Sequence, residues 1–119
     1  MRILLVDDDA LLLRALSLTL RRHAITTALG GLEGLKIVRA GAMFDAIVCD
    51  CHMPLMSGRA FYETLSAEHP DLAARVVFMA GGFTKEGDAA FFLSKPTILK
   101  PFSAKDLDSV LERLTPVQR

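Results

Sequence analysis

The chain has few cysteines and no excess of either charge. Its two cysteines, Cys49 and Cys51, stand two residues apart, and no second pair exists to complete a zinc site or a disulfide framework. We interpret both as small apolar side chains of a reduced, cytoplasmic protein. Fourteen basic residues balance 14 acidic ones, so no bulk field attracts the chain to nucleic acid or to an anionic membrane.

Long apolar runs are also missing. None approaches the roughly 20 residues that a membrane span needs, and the first apolar run ends in acids, unlike a signal peptide. We therefore expect no membrane association. At 119 residues, 51% of them hydrophobic, the chain has the usual size of one domain with a core. Because no linker, repeat or low-complexity tract divides it, residues 1–119 are predicted to form a single domain.

What the sequence does contain is a regular alternation of short apolar runs and amphipathic segments. This pattern predicts βα units around a parallel sheet. Strands are predicted over residues 2–6, 25–28, 46–49, 75–80 and 97–99. Helices are predicted over residues 10–22, 32–39, 59–68 and 85–93, and a fifth follows Ser103. Five such units favour a flavodoxin-like α/β sandwich with strand order 2-1-3-4-5 and five helices.

Helix-capping residues mark several of these boundaries. Asp9 precedes the first helix and is interpreted mainly as its N-cap, and Thr84 is a candidate N-cap for the fourth helix. Gly41 follows the second helix in the position that favours glycine. Ser103 and Asp106 have the spacing of a capping box.

Charged residues end three of the predicted strands. Asp7 and Asp8 follow the first, Asp50 ends the third, and Lys100 follows the fifth. In the predicted strand order the first and third strands are neighbours, so these acids meet at the edge where open α/β sheets hold ligands. Carboxylates about 4 Å apart repel by roughly 1 to 4 kcal/mol, which favours a bound cation. Mg²⁺ suits such a site because it prefers oxygen ligands and shares phosphate oxygens.

The remaining residues of interest near this edge are a lysine and a histidine. Lys100 can pair with Asp50 or with a phosphoryl group, and an aspartate beside a divalent ion can form an aspartyl phosphate. The bond from Lys100 to Pro101 is a candidate for a cis peptide. His52 is expected at the mouth of the site, whereas His23 and His69 stand at helix ends and are interpreted as surface residues.

On these motifs the chain resembles a response-regulator receiver domain, the phosphoacceptor half of two-component signalling. The resemblance covers about residues 2–114 and rests on three runs: Leu4-Leu5-Val6-Asp7-Asp8, Asp50-Cys51-His52-Met53-Pro54-Leu55-Met56-Ser57-Gly58 and Lys100-Pro101-Phe102. It implies that Asp50 accepts a phosphoryl group from a sensor histidine kinase or a histidine phosphotransfer protein. Such a domain promotes its own phosphorylation and hydrolysis and is not an enzyme acting on a separate substrate.

The resemblance also implies the ligands of the site. Mg²⁺, or Mn²⁺, would be bound directly by Asp8 and Asp50, through water by Asp7, and by the backbone carbonyl of His52. Lys100 would contact the phosphoryl group. The change would reach the surface of the fourth helix, fifth strand and fifth helix, where an output partner or a second copy would bind.

Two positions depart from the family pattern. Ala80 stands where receivers usually carry a Thr or Ser that grips a phosphoryl oxygen, so it faces that oxygen without a donor. Thr97 stands where many receivers carry a switching aromatic residue. We therefore expect phosphate acceptance with a weaker or different conformational response.

Two alternatives remain open at this point. The first is an interaction module that binds its partner without being phosphorylated, with Ala80 as the mark of lost switching. The second is a hydrolase of the haloacid-dehalogenase type, in which Asp7 is the nucleophile and Asp9 the acid-base. The chain is interpreted either as a stand-alone regulator or as a domain of a longer regulator or hybrid kinase. Phe83, Phe91 and Phe92 are expected in the core, with a partner contact as the alternative.

Overall fold

A computed structural model describes residues 1–81 and 86–114, with the backbone alone for residues 86–88. Five strands form one parallel sheet in the order β2-β1-β3-β4-β5. They are β1 (Arg2–Asp7), β2 (Ala24–Leu29), β3 (Ala46–Asp50), β4 (Val76–Ala80) and β5 (Thr97–Leu99). The helices are α1 (Ala10–Thr19), α2 (Gly31–Arg39), α3 (Gly58–Glu68), α4 (Pro70–Ala73), α5 (Glu86–Leu93) and α6 (Ala104–Leu114). The predicted parallel sheet and its strand order are confirmed.

Alternation along the strands divides the core between the two faces of the sheet. Leu4 and Val6 of β1 pack on the face covered by α2, α3 and α5, and Ile3 and Leu5 pack on the face covered by α1 and α6. All four side chains are fully buried. Helices on both faces explain why the central strands read as continuous apolar runs.

The helices differ from the expectation in number and in some ends. The segment after α3 forms a short sixth helix, α4, whose first residue is Pro70. Proline suits that position because its fixed φ is helical and its missing N–H needs no partner there. The first helix ends at Thr19 rather than at Arg22. Thr84 lies outside the described residues.

Three of the predicted caps are present. The carboxylate of Asp9 accepts the N–H groups of Leu11 and Leu12 at 3.0 and 3.2 Å, which makes it the N-cap of α1. The Ser103 hydroxyl accepts the N–H of Asp106 at 3.0 Å, and the Asp106 carboxylate accepts the N–H of Ser103 at 3.2 Å. Gly41 follows α2 with a φ of 99°.

The structure also places the cysteines, phenylalanines and histidines of the sequence interpretation. Cys49 and Cys51 are buried thiols, and Phe92 is buried with Phe91 packed beside it. Phe83 is not among the described residues. His69 is exposed. In the part of the chain described, no helix is both long and apolar enough to cross a bilayer.

The interpretation of His23 as a surface residue is wrong. Only 13% of its side chain is exposed, and Nε2 lies 2.9 Å from a carboxylate oxygen of Asp108 on α6. Asp108 also receives a hydrogen bond from Arg22 at 2.6 Å. The imidazole therefore joins the residue that precedes β2 to α6.

Candidate functional site

Three aspartates meet at the carboxyl edge of the sheet, as the strand order requires. Asp7 ends β1 and is buried, Asp50 ends β3 and is buried, and Asp8 follows β1 and is exposed. One carboxylate oxygen from each lies within 4.8 Å of the other two. Because β1 and β3 are neighbours in the sheet, the alignment of their ends fixes this cluster.

Lys100 brings a positive charge to the cluster from β5. Its Nζ lies 3.2 Å from Asp50 Oδ1 and 3.5 Å from Asp7 Oδ2. Its backbone N–H donates to the carbonyl of Ala80 at 2.7 Å, which anchors the start of the following loop to β4. The peptide bond from Lys100 to Pro101 is cis, as anticipated.

The charged groups of this cluster shift one another's pKa values. Burial raises the pKa of both Asp7 and Asp50 above the usual value for aspartate. The neighbouring lysine works against that rise at both carboxylates, at Asp50 through its charge and then through its hydrogen bond. Burial alone would lower the pKa of Lys100, but the carboxylates of Asp50 and Asp7 together outweigh it and raise that pKa.

One oxygen of Asp7 has the character of a cation ligand. Asp7 Oδ1 accepts the N–H of Asp9 at 2.9 Å. The other oxygen, Oδ2, is buried and has no hydrogen bond from any described residue, since Lys100 at 3.5 Å is at ion-pair distance. A buried anionic oxygen without a donor, within a set of three carboxylates, matches the hard oxygen ligands that Mg²⁺ takes.

The other two residues singled out in the sequence frame this cluster. Ala80 is the last residue of β4 and is fully buried, and its methyl group offers no hydrogen bond. His52 is exposed two residues beyond Asp50, and its ring meets the ring of Phe92 edge-on at 6.4 Å. Ala80 thus ends the strand next to β3, and His52 lies on the loop that follows Asp50.

The structure adds a glycine whose role sequence reasoning did not identify. A Cβ on Gly58 would lie 2.4 Å from the carbonyl oxygen of Asp50 and 2.9 Å from Cα of Cys51. The N–H of Gly58 donates to the Cys51 carbonyl at 2.9 Å. The first residue of α3 is thus packed against the backbone that carries Asp50. In the sequence, the only sign of this contact is that Asp50 and Gly58 belong to the same motif.

The loop between them contains a second unusual conformation. Leu55 has a φ of 69°, and the N–H of Met56 donates to the carbonyl of Pro54 at 2.7 Å, which forms a tight γ-turn. The Leu55 side chain is exposed. A non-glycine residue in this region of φ is strained, and such strain is concentrated at functional sites.

With this geometry in view, comparison with known proteins identifies the family. The sequence profile of the response regulator receiver domain matches residues 3–112. The chain belongs to the response regulator receiver domain family. A response regulator receiver domain protein of Clostridium thermocellum is 23% identical and superposes with a TM-score of 0.84, over 96% of this chain and 93% of that one.

Two curated relatives are much longer than this chain. The transcriptional regulatory protein GlrR of Escherichia coli K12 is 30% identical over 122 residues, which is 96% of this chain and 27% of GlrR. The two-component response regulator ORR22 of Oryza sativa subsp. indica is 38% identical over 71 residues, 57% of this chain and 10% of ORR22. The matched part of this chain thus covers about a tenth to a quarter of the length of these curated relatives.

One structural neighbour is a complex with Mg²⁺ and beryllium fluoride. TrrA of Thermotoga maritima, in complex with Mg²⁺ and beryllium fluoride, is 24% identical with a TM-score of 0.81, over 95% of this chain and 97% of that one. At this identity the likeness establishes the shared receiver fold.

Proposed function

We propose that this receiver domain accepts a phosphoryl group on Asp50. The supporting observation is the arrangement of the Asp50 carboxylate, which lies among two further carboxylates and 3.2 Å from the ammonium of Lys100. A carboxylate oxygen of Asp50 attacks the phosphorus of a phosphohistidine. The phosphorus–nitrogen bond breaks, and its electron pair remains with the departing imidazole.

The acidic residues hold the cation that this chemistry needs. Asp8 and Asp50 would bind Mg²⁺ or Mn²⁺ directly, Asp7 would act through water, and the backbone carbonyl of His52 would complete the protein ligands. When bound, the ion would supply positive charge against the phosphoryl oxygens. The buried oxygen of Asp7, which lacks a hydrogen-bond donor, supports this assignment.

Lys100 has two partners over the reaction. Before transfer it neutralises Asp50 and Asp7, and after transfer its ammonium contacts the new phosphoryl group. Its raised pKa keeps it charged at neutral pH. Burial raises the pKa of Asp50, and Lys100 opposes that rise and so favours the ionised carboxylate that acts as the nucleophile.

The response to phosphorylation departs from the ordinary family pattern. Ala80 offers no hydroxyl to a phosphoryl oxygen. Thr97 has no ring to move, and its hydroxyl already donates to the carbonyls of Phe92 and Lys95 at 2.7 and 3.1 Å. The family's usual coupled motion needs a hydroxyl at position 80 and an aromatic ring at position 97. This chain has neither, so its response is a different rearrangement.

The phosphoryl donor is a sensor histidine kinase or a histidine phosphotransfer protein in the cytoplasm. An output partner or a second copy of the chain binds across α5, β5 and α6, where Leu93 and Leu99 are exposed. The balanced charge supports neither direct nucleic-acid binding nor membrane binding. Like other receivers, the domain promotes its own phosphorylation and hydrolysis and has no separate substrate.

A phosphorylation-independent interaction module is the second candidate. The buried methyl group of Ala80 favours it, because a phosphoryl group on Asp50 would lack one customary hydrogen bond. The hydrolase interpretation has less support: the Asp9 carboxylate that would serve as acid-base caps α1.

Intact mass spectrometry after treatment with acetyl phosphate separates these candidates. We expect a mass gain of one phosphoryl group that requires Mg²⁺ and is absent in Asp50→Asn. An unmodified wild-type chain in the presence of Mg²⁺ would support the interaction module. A phosphoryl group mapped to Asp7 instead would support the hydrolase.

A further inference from the structure

A chain of rings leads from the candidate site to the outer surface of α3 and α5. We call it the aromatic cluster, and it consists of His52, Phe92, Phe78, Phe91 and Tyr62. Successive rings meet edge-on or tilted, the arrangement that aromatic pairs prefer. The proposed site and the surface between the two helices are therefore joined by direct contacts.

The inner end of the cluster is tightly packed. Phe92 is 1% exposed, and its ring centroid lies 4.8 Å from that of Phe78 and 6.4 Å from that of His52. His52 is two residues beyond Asp50 on the loop that supplies the site. In an interior packed to crystal density, a shift of one ring has to be taken up by its neighbours.

The outer end lies between α3 and α5 and carries cations. Phe91 is 5.0 Å from Phe92 and 5.6 Å from Tyr62, measured between centroids. The guanidinium of Arg59 lies 4.8 Å from the centre of the Phe91 ring, and Lys95 Nζ lies 4.7 Å from the centre of the Tyr62 ring. These cation–π contacts depend on the relative position of the two helices.

The residues that would offer another route are committed elsewhere. Ala80 has no side-chain donor, and the Thr97 hydroxyl donates to the carbonyl of Phe92 in α5 and to that of Lys95 just after α5. Rotation of the Thr97 hydroxyl would leave those carbonyls without it, at a free-energy cost. The aromatic cluster, in contrast, needs only a displacement of the loop that carries His52.

We propose that phosphorylation of Asp50 displaces the His52 loop and that the aromatic cluster transmits this shift to the patch formed by Arg59, Tyr62, Phe91 and Lys95. This inference rests on the proposed function of Asp50. The shift then reaches the face between α3 and α5 and, through α5, the surface where an output partner is proposed to bind.

Tyr62 is a built-in probe of this patch. It is the only tyrosine in the chain, and the chain has no tryptophan, so intrinsic fluorescence reports on this residue alone. We expect its emission to change when acetyl phosphate and Mg²⁺ phosphorylate the wild-type protein. We expect most of this change to be absent when the wild type receives Mg²⁺ alone. We also expect most of it to be absent when Asp50→Asn receives acetyl phosphate and Mg²⁺. Intact mass on the same samples records the phosphorylated fraction independently.

Two substitutions interrupt the cluster, and one on the same helix does not. Phe92→Leu removes the ring that joins His52 to Phe91, and Phe92→Met does so while retaining more of its volume. Leu93→Ala alters the next residue of α5, which is exposed. Both Phe92 variants should still take phosphate but lose most of the Tyr62 response, whereas Leu93→Ala should keep it. Circular dichroism identifies any variant that fails to fold.

Each outcome bears on the inference. If Asp50 takes phosphate while Tyr62 emission stays constant, or if a folded Phe92 variant retains the full response, the aromatic cluster is not the route. If the mass shows no phosphorylation of the wild type, the proposed function fails, and the inference fails with it.

Discussion

At the scale of single residues, we expect Ala80 to limit how tightly a phosphoryl group or its analogue is held. We predict that Ala80→Thr increases the affinity for beryllium fluoride in the presence of Mg²⁺, because a hydroxyl at the end of β4 would donate to the analogue. A hydrogen bond to a charged group contributes about 1.5 to 3 kcal/mol, which is roughly tenfold or more in affinity. Fluorine NMR titration measures that affinity.

The matched control is Ala80→Val. Valine has the shape of threonine without the hydroxyl, and position 80 is fully buried, so both variants crowd the core equally. A threonine variant that binds the analogue no better than the valine variant would show that the hydroxyl does not reach the phosphoryl group.

Single residues also show how far the sequence can be trusted. Asp7, Asp50 and Lys100 were predictable as neighbours because each follows an apolar run, and parallel strands end at one edge. The contact between His23 and Asp108 was not, since 85 residues separate them and neither belongs to a motif. Sequence periodicity locates a residue on an element, but a side-chain contact between distant elements depends on packing.

At the scale of elements, the start of α3 controls the position of Asp50. We predict that Gly58→Ala lowers the free energy of unfolding by about 2 to 4 kcal/mol and slows phosphorylation. The new Cβ would lie 2.4 Å from the Asp50 carbonyl oxygen, so either the helix or the end of β3 has to move. Urea denaturation measures the stability, and intact mass over time measures the phosphorylation rate.

Gly81→Ala is the comparison for that change. A Cβ on Gly81 meets no described atom within 4 Å, although the residue directly follows β4 beside the site. We expect little change in stability or rate. Equal losses in both variants would mean that the effect at 58 reflects the general helical or loop preference of alanine rather than the contact with Asp50.

Elements with a strong pattern were predicted well, and the exceptions have local causes. The apolar run of β3 and the stripe of α6 at Leu107 and Leu111 mark buried surfaces directly. β2 is an edge strand with four exposed residues, so its ends were predicted one residue short on each side. α4 was missed because Pro70 is equally compatible with the end of one helix and the first residue of the next.

At the scale of the whole molecule, the buried acids make stability depend on pH. The folded-state pKa of Asp7 and Asp50 lies above the ordinary value of 3.8, so the folded protein binds these protons more tightly than the unfolded chain. Their favourable contribution is complete below that value and is lost as the pH rises through the raised pKa. Asp108 and Glu68 have lowered pKa values, so their contribution to stability increases with pH. That contribution is complete above pH 3.8 for Asp108 and above pH 4.5 for Glu68.

Without divalent cations, we therefore predict that the stability of Asp50→Asn relative to the wild type increases between about pH 4 and 7, by about 1.4 kcal/mol for each unit by which folding raises the pKa of Asp50. The raised pKa of Lys100 lies above this window, so that group stays charged throughout. Urea denaturation in a chelator across this pH range measures the difference. Added Mg²⁺ should reduce it at neutral pH, because the ion binds the folded wild type and neutralises the carboxylates. A difference independent of pH, or one that Mg²⁺ leaves unchanged, would contradict a site in which burial of Asp50 is compensated by a cation.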